Sequence, residues 1–239
     1  MALGASHQRR LREVWRSAGW PYQDAVELEL LAAGLLSRER DAQGRETVRV
    51  TDAGIAVLAQ TLQQNRAARG DHEALVARVA REMQRAGRVV WRALSLRARI
   101  GEEPAAGGGA EPGWAIAIPD VYSIRHTTVE DYVEPVAHEI KVRRADLLAD
   151  LRRPAKGEAY RWLSSQCWYV IREGIAQPQE IPEVYGVMLA RPDGALDVAR
   201  PAPRRGLRLP FAVWMALARA TPEPAADDAQ QALGGAAGR

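Results

Sequence analysis

Apolar positions recur along the chain at two different spacings, and the switches between them mark out its parts. Val26, Leu30 and Leu31 fall three to four residues apart within Asp24–Leu36, which predicts a helix that Gly34 is placed to stop. Ser37–Val50 reads as two short strands around Ala42-Gln43-Gly44. Thr51-Asp52 reads as a helix cap, and Ala53–Leu62 as a second helix. Gln63–Gly70 is polar, ends in glycine and reads as a linker. Helical spacing returns in Asp71–Gly87, with Leu75, Val76, Val79 and Met83 on one face and Arg78, Arg81 and Arg85 on the other.

From there the apolar runs become short and compact, as strands are. Arg88–Leu96, Trp114–Ile124 (interrupted at Pro119-Asp120) and Val133–Val142 are predicted strands. Ala145–Leu151 and Lys156–Ser165 are helical stretches separated by Pro154. Cys167–Arg172 and Val184–Ala190 are further strands, Ala195–Ala199 an edge strand after the turn Pro192-Asp193-Gly194, and Pro210–Ala218 a closing helix. The expectation is an α/β chain: a mixed central sheet flanked by helices over 71–219, a small helix–hairpin–helix domain over 1–66, and a disordered tail over 220–239. Gly101–Gly113 reads as a flexible loop.

Composition narrows the class. With 47% apolar and 26% charged residues over 239 positions, the chain has ordinary globular usage. Its longest apolar run, Phe211–Ala218, is far below the ~18 residues of a spanning helix, which excludes a membrane protein of that type. The first ten residues show no apolar core after their charges, so no secretory signal is read and the cytoplasm is the expected compartment. A single cysteine, Cys167, excludes an internal disulfide and any cysteine metal cluster; it reads as a buried inert thiol. The four histidines show no close ligand spacing, and His72, on the apolar face of its helix, reads as a core residue.

Charge adds a second layer. Only two of the 33 basic residues are lysines, Lys141 and Lys156. Arginine carries a permanent delocalised charge and lysine a compact one whose pKa moves, so each surviving lysine marks a place where arginine does not serve. The formal charge is +6 over residues 1–100, −6 over 101–150 and +3 over the remainder. Basic flanks suit a phosphate polymer and an acidic centre suits a cation; either alone is also what an ordinary solvated surface looks like.

The acidic centre holds the candidate chemistry. In the strand around Val136–Val142, Glu139 and Lys141 point to one face while His138, Ile140 and Val142 point to the other. Asp120 follows Pro119, which cannot donate to a ladder and favours a bulge or edge. Eighteen residues separate Asp120 from Glu139, enough for a hairpin that brings the two strands side by side. Two carboxylates and the Ile140 carbonyl are the hard oxygen donors that Mg²⁺ or Mn²⁺ prefers. Lys141 would position water or neutralise charge on a phosphoryl group. The bland reading of the same residues is a surface ion pair on a sheet, worth ~0–1 kcal/mol.

Pro119-Asp120, eighteen residues, then Glu139-Ile140-Lys141 resembles the signature of the PD-(D/E)XK nuclease superfamily. The order helix, three strands, helix, strand over 71–199 is similar to that superfamily's restriction-endonuclease-like core. The run from Glu139 to Ala190 is similar to a branch of DNA repair nucleases, the MmcB-like proteins. The resemblance implies Mg²⁺-dependent hydrolysis of DNA, with Asp120 and Glu139 as metal ligands, Ile140 lending its carbonyl and Lys141 as the catalytic lysine. It further implies an acidic residue on the first helix, for which Glu73 fits best, and an auxiliary polar group on the helix after Pro154. That group would be Lys156 or Tyr160, touching the scissile phosphate; the alternative puts the lysine on the surface and the tyrosine in the core. Asp146 and Asp150 are expected to pair with Arg153 and Arg143.

The segment 24–62 resembles the winged helix-turn-helix family, which implies DNA contact. The helix that would enter the groove carries Glu27 and Glu29 and no cation, so Arg38, Arg40, Arg45 and Arg49 of the wing are the expected phosphate contacts; the other reading of this domain is dimerisation or packing. Arg200, Arg204, Arg205 and Arg208 form either a second phosphate-contacting loop or a solvated one. The leading expectation is a DNA nuclease of repair or mobile-element biology, with DNA as partner and a homodimer or a further protein partner left open. The alternatives are a catalytically silent nucleic-acid-binding module and an RNA-directed nuclease.

Overall fold

Residues 3–100 and 113–224 are described in a computed structural model. Residues 225–239 of the tail expected to be disordered over 220–239, and most of the loop expected over Gly101–Gly113, lie outside those residues. The start of that tail is corrected: the Glu223 N–H donates to the Val90 carbonyl at 2.7 Å and its carboxylate pairs with Arg92 at 2.8 Å, which binds it to the fold. The chain divides into two compact units, Met1–Arg69 and Gly70–Arg239.

In the first unit, helices α1 (Ala5–Arg16) and α2 (Ala25–Ala32) precede a hairpin of β1 (Leu36–Arg40) and β2 (Glu46–Val50), followed by the start of α3 (Asp52–Arg85). Leu11, Val14, Leu30, Leu35, Leu36 and Val48 form its core. Gly34 ends α2 as the sequence predicts: at φ +68° it lets its own N–H reach the Leu31 carbonyl and the Leu35 N–H the Leu30 carbonyl. Thr51 caps α3 by accepting the Gly54 N–H at 3.2 Å. Helix α1 has little apolar pattern to announce it, since only Leu11 and Val14 of its twelve residues are buried.

The predicted linker Gln63–Gly70 is helix. Helix α3 runs unbroken from Asp52 to Arg85, because glutamine, alanine and arginine are good helix formers and a polar stretch without proline does not interrupt hydrogen bonding. Gly70 is the weakest former there, and its cost is about 1 kcal/mol.

The second unit is built on a six-stranded mixed sheet. Its strands are β3 (Arg88–Arg92), β6 (Val121–Arg125), β7 (Val136–Lys141), β8 (Gln166–Arg172), β9 (Gly186–Ala190) and β10 (Leu196–Arg200), in the spatial order β10-β9-β8-β7-β6-β3. β7–β8 and β8–β9 are parallel; the other pairs are antiparallel. The chain returns from β7 to the parallel β8 through helices α4 (Arg144–Leu151) and α5 (Pro154–Leu163), as a parallel neighbour requires a crossover. Pro154 begins α5, where a missing N–H costs nothing.

Two predicted strands are each divided. Arg88–Leu96 splits into β3 and the start of β4 (Leu96–Ile100), and Trp114–Ile124 splits at Pro119-Asp120 into β5 (Gly113–Ala117) and β6. β4 and β5 pair only with each other, as a separate ribbon. Layers cover both faces of the main sheet. Leu75, Val76, Val79 and Ala80 of α3 pack against Val90, Val121, Ile140, Val142 and Val170 on one face. On the other, Leu147, Tyr160, Leu163 and Val213 of α4, α5 and α6 (Phe211–Arg219) pack with Leu96 and Ala98 on Tyr122, Tyr169 and Ile171. No helix among the described residues is long and apolar enough to cross a membrane.

Candidate active site

The β6–β7 register pairs Val121 with His138, so the next positions outward, Asp120 and Glu139, stand opposite each other where the two strands part. Asp120 does not remain in the ladder. Its Oδ2 turns to accept the Ile140 backbone N–H at 2.7 Å, which fixes the carboxylate at the strand end.

Alternation along β7 sends Ile140 into the apolar layer beneath α3 and Glu139 to the opposite face. Glu139 is only 6% exposed and has a partner at each oxygen. Oε1 accepts from Lys141 Nζ at 2.5 Å and from Lys156 Nζ at 2.6 Å; Oε2 accepts from the Tyr160 hydroxyl at 2.8 Å. The Tyr160 hydroxyl oxygen also lies 2.9 Å from the Ile118 carbonyl, a second acceptor for its single proton. Lys156 and Tyr160 both reach Glu139 because they are four residues apart on α5 and share one face of it.

Asp150, near the end of α4, joins the same group. Its Oδ1 lies 2.6 Å from Lys156 Nζ and 3.7 Å from Lys141 Nζ, and its Oδ2 accepts the Tyr169 hydroxyl at 2.8 Å. Tyr169 stands beside Glu139 on the neighbouring parallel strand. The expected pairing of Asp150 with arginine is therefore corrected: α4 turns this carboxylate inward, where two ammoniums are nearer. Both lysines of the chain converge here.

The electrostatics follow from the packing. Burial alone would raise the Asp150 carboxyl, but the Lys156 hydrogen bond and the Lys141 charge hold it below the ordinary carboxylate value. Burial pulls the Lys156 ammonium down, while Glu139 and Asp150 outweigh it and leave it above its ordinary value. Burial first and the facing carboxylates second push the phenols of Tyr160 and Tyr169 far up, so both are proton donors at neutral pH.

The first-helix expectation is corrected in a particular way. His72, not Glu73, reaches Asp120: His72 Nε2 lies 3.4 Å from Asp120 Oδ2, and its Nδ1 lies 3.5 Å from Glu73 Oε1. Glu73 itself is 66% exposed. His72 is thus a half-buried neighbour of the candidate site and not a core histidine, and its hydrogen bond to Asp120 raises its pKa. His138, on the face away from Glu139, is fully buried beside Trp168, and neither ring nitrogen meets a partner of normal geometry.

The arginines expected to touch phosphate are mostly engaged within the fold. Arg38 pairs with the buried Glu27 at 2.9 Å and with Glu46 at 3.7 Å; Arg40 pairs with Glu46 and Arg45 with Asp41. Arg49 is exposed on β2. In the later basic run, Arg200 donates to the carbonyls of Pro178, Ile181, Pro182 and Tyr185, Arg204 pairs with Glu134, Arg205 donates to the Ser164 carbonyl, and Arg208 pairs with Asp131. That run acts as a strap holding its own loop.

The donor set has the chemistry a hard divalent cation takes: the carboxylates of Asp120 and Glu139, and carbonyl oxygen nearby. No group of three or more His, Cys, Asp or Glu side chains among the described residues is placed to hold an ion. Both ammoniums occupy Glu139 Oε1, whereas Oε2 accepts only the Tyr160 hydroxyl and keeps its second lone pair for a ligand. Comparison of the chain with protein-family models, with curated proteins and with solved structures finds no match.

Proposed function

We propose that the second unit is a cytoplasmic nuclease that hydrolyses DNA phosphodiester bonds with Mg²⁺ or Mn²⁺, in repair or mobile-element biology, and that the first unit is a winged-helix-like accessory contact. The observation that carries this reading is the placement of Asp120 opposite Glu139 at the parting of β6 and β7, with the Lys141 ammonium on Glu139. A bound Mg²⁺ or Mn²⁺, held by Asp120, Glu139 and the Ile140 carbonyl, would stabilise negative charge growing on a phosphoryl oxygen.

The protein's own residues have distinct parts in this reading. The Ile140 N–H holds Asp120 through Oδ2 and leaves the other carboxylate oxygen as a donor. Tyr160 orients Glu139 by holding Oε2. Lys141 is the cation nearest the reacting phosphate, and Lys156 balances Glu139 and Asp150 when no substrate is present.

The test is cleavage of single-stranded, duplex, flapped and four-way-junction DNA, with an RNA control, in Mg²⁺, Mn²⁺ and EDTA. The expected result is metal-dependent cutting of DNA that falls by about 10²-fold or more in Asp120→Ala and in Lys141→Ala. Preferential cutting of the RNA would replace DNA with RNA as the substrate. One feature favours a second reading, a catalytically silent nucleic-acid-binding module: every Glu139 oxygen already has a protein partner, as in an ion cluster kept for structure. Salt-sensitive DNA binding that is equal with and without metal, with no cutting of any substrate, would establish it.

A further inference from the structure

A cavity of about 190 Å³ opens directly beside the Glu139 cluster, between α5 and the Pro182–Tyr185 segment. Asp150, Lys156, Tyr160 and Tyr169, all members of the cluster, form its inner side. Its outer side is made by Arg153, Arg161, Pro154, Pro182, Val184 and Tyr185. It is smaller than the ~300–1,000 Å³ that encloses a whole drug-sized ligand, and suits one phosphate and its sugar better than a base pair.

Its charge is unbalanced towards cations. Three basic side chains, Arg153, Lys156 and Arg161, face one carboxylate, Asp150. That carboxylate is committed to Lys156 and to the Tyr169 hydroxyl, which leaves the two guanidiniums as the cavity's surplus. A guanidinium presents a planar fork of donors that matches phosphate oxygens in pairs. The Arg161 guanidinium and the Tyr185 hydroxyl both border Gly157, and Tyr185 packs edge-on against Tyr169 with ring centroids 5.0 Å apart. Gly157 makes this packing fit: a Cβ there would come within 2.1 Å of the Tyr185 hydroxyl oxygen.

We infer that this cavity is a phosphate subsite for the substrate strand beside the bond that is cut, with Arg153 and Arg161 as its ligating cations and the proline-lined wall against the sugar. The inference rests on the nuclease reading for the identity of the strand. The shared chemistry is a phosphate ester, and its source is either an internal phosphodiester or a terminal phosphate.

The test uses the full chain and needs no turnover. Anisotropy of a labelled single-stranded DNA 12-mer is titrated in EDTA at several salt concentrations, with the wild type, Arg153→Gln, the double variant Arg153→Gln/Arg161→Gln, and Arg85→Gln as a control on α3. Affinity is expected to fall about 10-fold in the double variant, and the slope of log affinity against log salt to shrink by about 0.7 for each phosphate the variant no longer neutralises. Arg153→Gln, a change at an exposed position, gives an intermediate loss, and inorganic phosphate displaces the oligonucleotide from the wild type only. A preference for a 5′-phosphorylated over a 5′-hydroxyl oligonucleotide that vanishes in the variant assigns the terminal phosphate; equal losses for both assign the internal one. Unchanged affinity and slope in the double variant overturn the subsite. A wild type that binds with the expected slope in this titration but cuts no substrate in the Mg²⁺ and Mn²⁺ cleavage assay overturns the nuclease reading and leaves the subsite standing.

Discussion

Lys156 on α5 and Glu139 on β7, seventeen residues apart in sequence, meet at 2.6 Å, and the same ammonium lies 2.6 Å from Asp150 on α4. One side chain thereby ties the strand to both helices of the crossover that follows it. With Lys141 on the same Glu139 oxygen, two ammoniums face two carboxylates in a largely buried cluster, whose remaining acceptor oxygens are filled by Tyr160 and Tyr169. Such a cluster is sensitive to losing one member, because the charge left behind is desolvated and unpaired.

Lys156→Met is therefore expected to destabilise the protein by about 2 kcal/mol, less than the roughly 3–5 kcal/mol of a fully buried pair because this lysine keeps partial access to water. Urea denaturation would show a lower midpoint with the slope m unchanged. The sign with pH follows from the raised pKa of Lys156: its contribution is complete below the ordinary lysine value of 10.5 and is lost as pH rises through the higher folded value. Wild type and variant should converge in stability only in that alkaline range.

His138 gives a second pH signature, of opposite sense. Burial first, with the nearby Arg88 charge, pushes its imidazole down to about 3 from an ordinary 6.5. The unfolded chain therefore binds a proton that the folded one refuses, and stability falls as pH drops from 6.5 towards 3, by up to about 1.4 kcal/mol per pH unit. In His138→Leu, whose side chain is similar in volume and carries no charge, the decline in urea midpoint between pH 6.5 and 5 should be much shallower. An equally steep decline in the variant would place its origin in other groups.

Much of this architecture is legible in the residues. Alternation along Val136–Val142 separates Glu139 and Lys141 from Ile140 and Val142 as the sequence predicts, because the strand has apolar layers on both sides and no freedom of register. Pro119 marks the break before β6, yet it cannot show that the residues ahead of it pair with β4 away from the main sheet. The polar stretch Gln63–Gly70 is opaque because polarity describes solvent exposure and not backbone conformation. Asp150 misleads for a further reason: local spacing on a helix offers arginine partners, whereas the partner it takes, Lys156, is set by the turn between α4 and α5. His72 is legible as helical, but its spacing places it in the core, whereas its neighbour Asp120 is 48 residues away and only tertiary packing brings them together.

The wing arginines divide by role. Glu27 is 1% exposed and accepts from Arg38 and from the Tyr22 and Gln23 backbone N–H groups, so Arg38 neutralises a buried carboxylate that also fixes the approach to α2. Arg38→Gln is expected to lower the stability of the first unit by about 1–3 kcal/mol. Arg49→Gln, at an exposed strand position, should leave the melting temperature unchanged. Thermal melts of the two variants, run beside DNA-binding titrations, would separate the structural wing arginine from any that touches phosphate.

Gly157 offers the sharpest contest between local and tertiary preference. It lies inside α5, where alanine is the better helix former by about 1 kcal/mol, so local propensity alone predicts that Gly157→Ala stabilises. The added Cβ would meet the hydroxyl of Tyr185, a residue buried at 7% exposure and packed on Tyr169, which leaves the ring little room to retreat. Overpacking of this kind costs about 1–3 kcal/mol, so the net expectation is a loss of up to about 2 kcal/mol together with weaker DNA binding as Tyr185 moves into the cavity. Tyr185→Phe removes the clashing oxygen and leaves the ring carbon at an ordinary 3.5 Å. The double variant Gly157→Ala/Tyr185→Phe should therefore recover the stability lost by Gly157→Ala alone, and a urea-denaturation double-mutant cycle reads that coupling directly. Additive effects of the two substitutions would mean that Gly157 is not there for Tyr185.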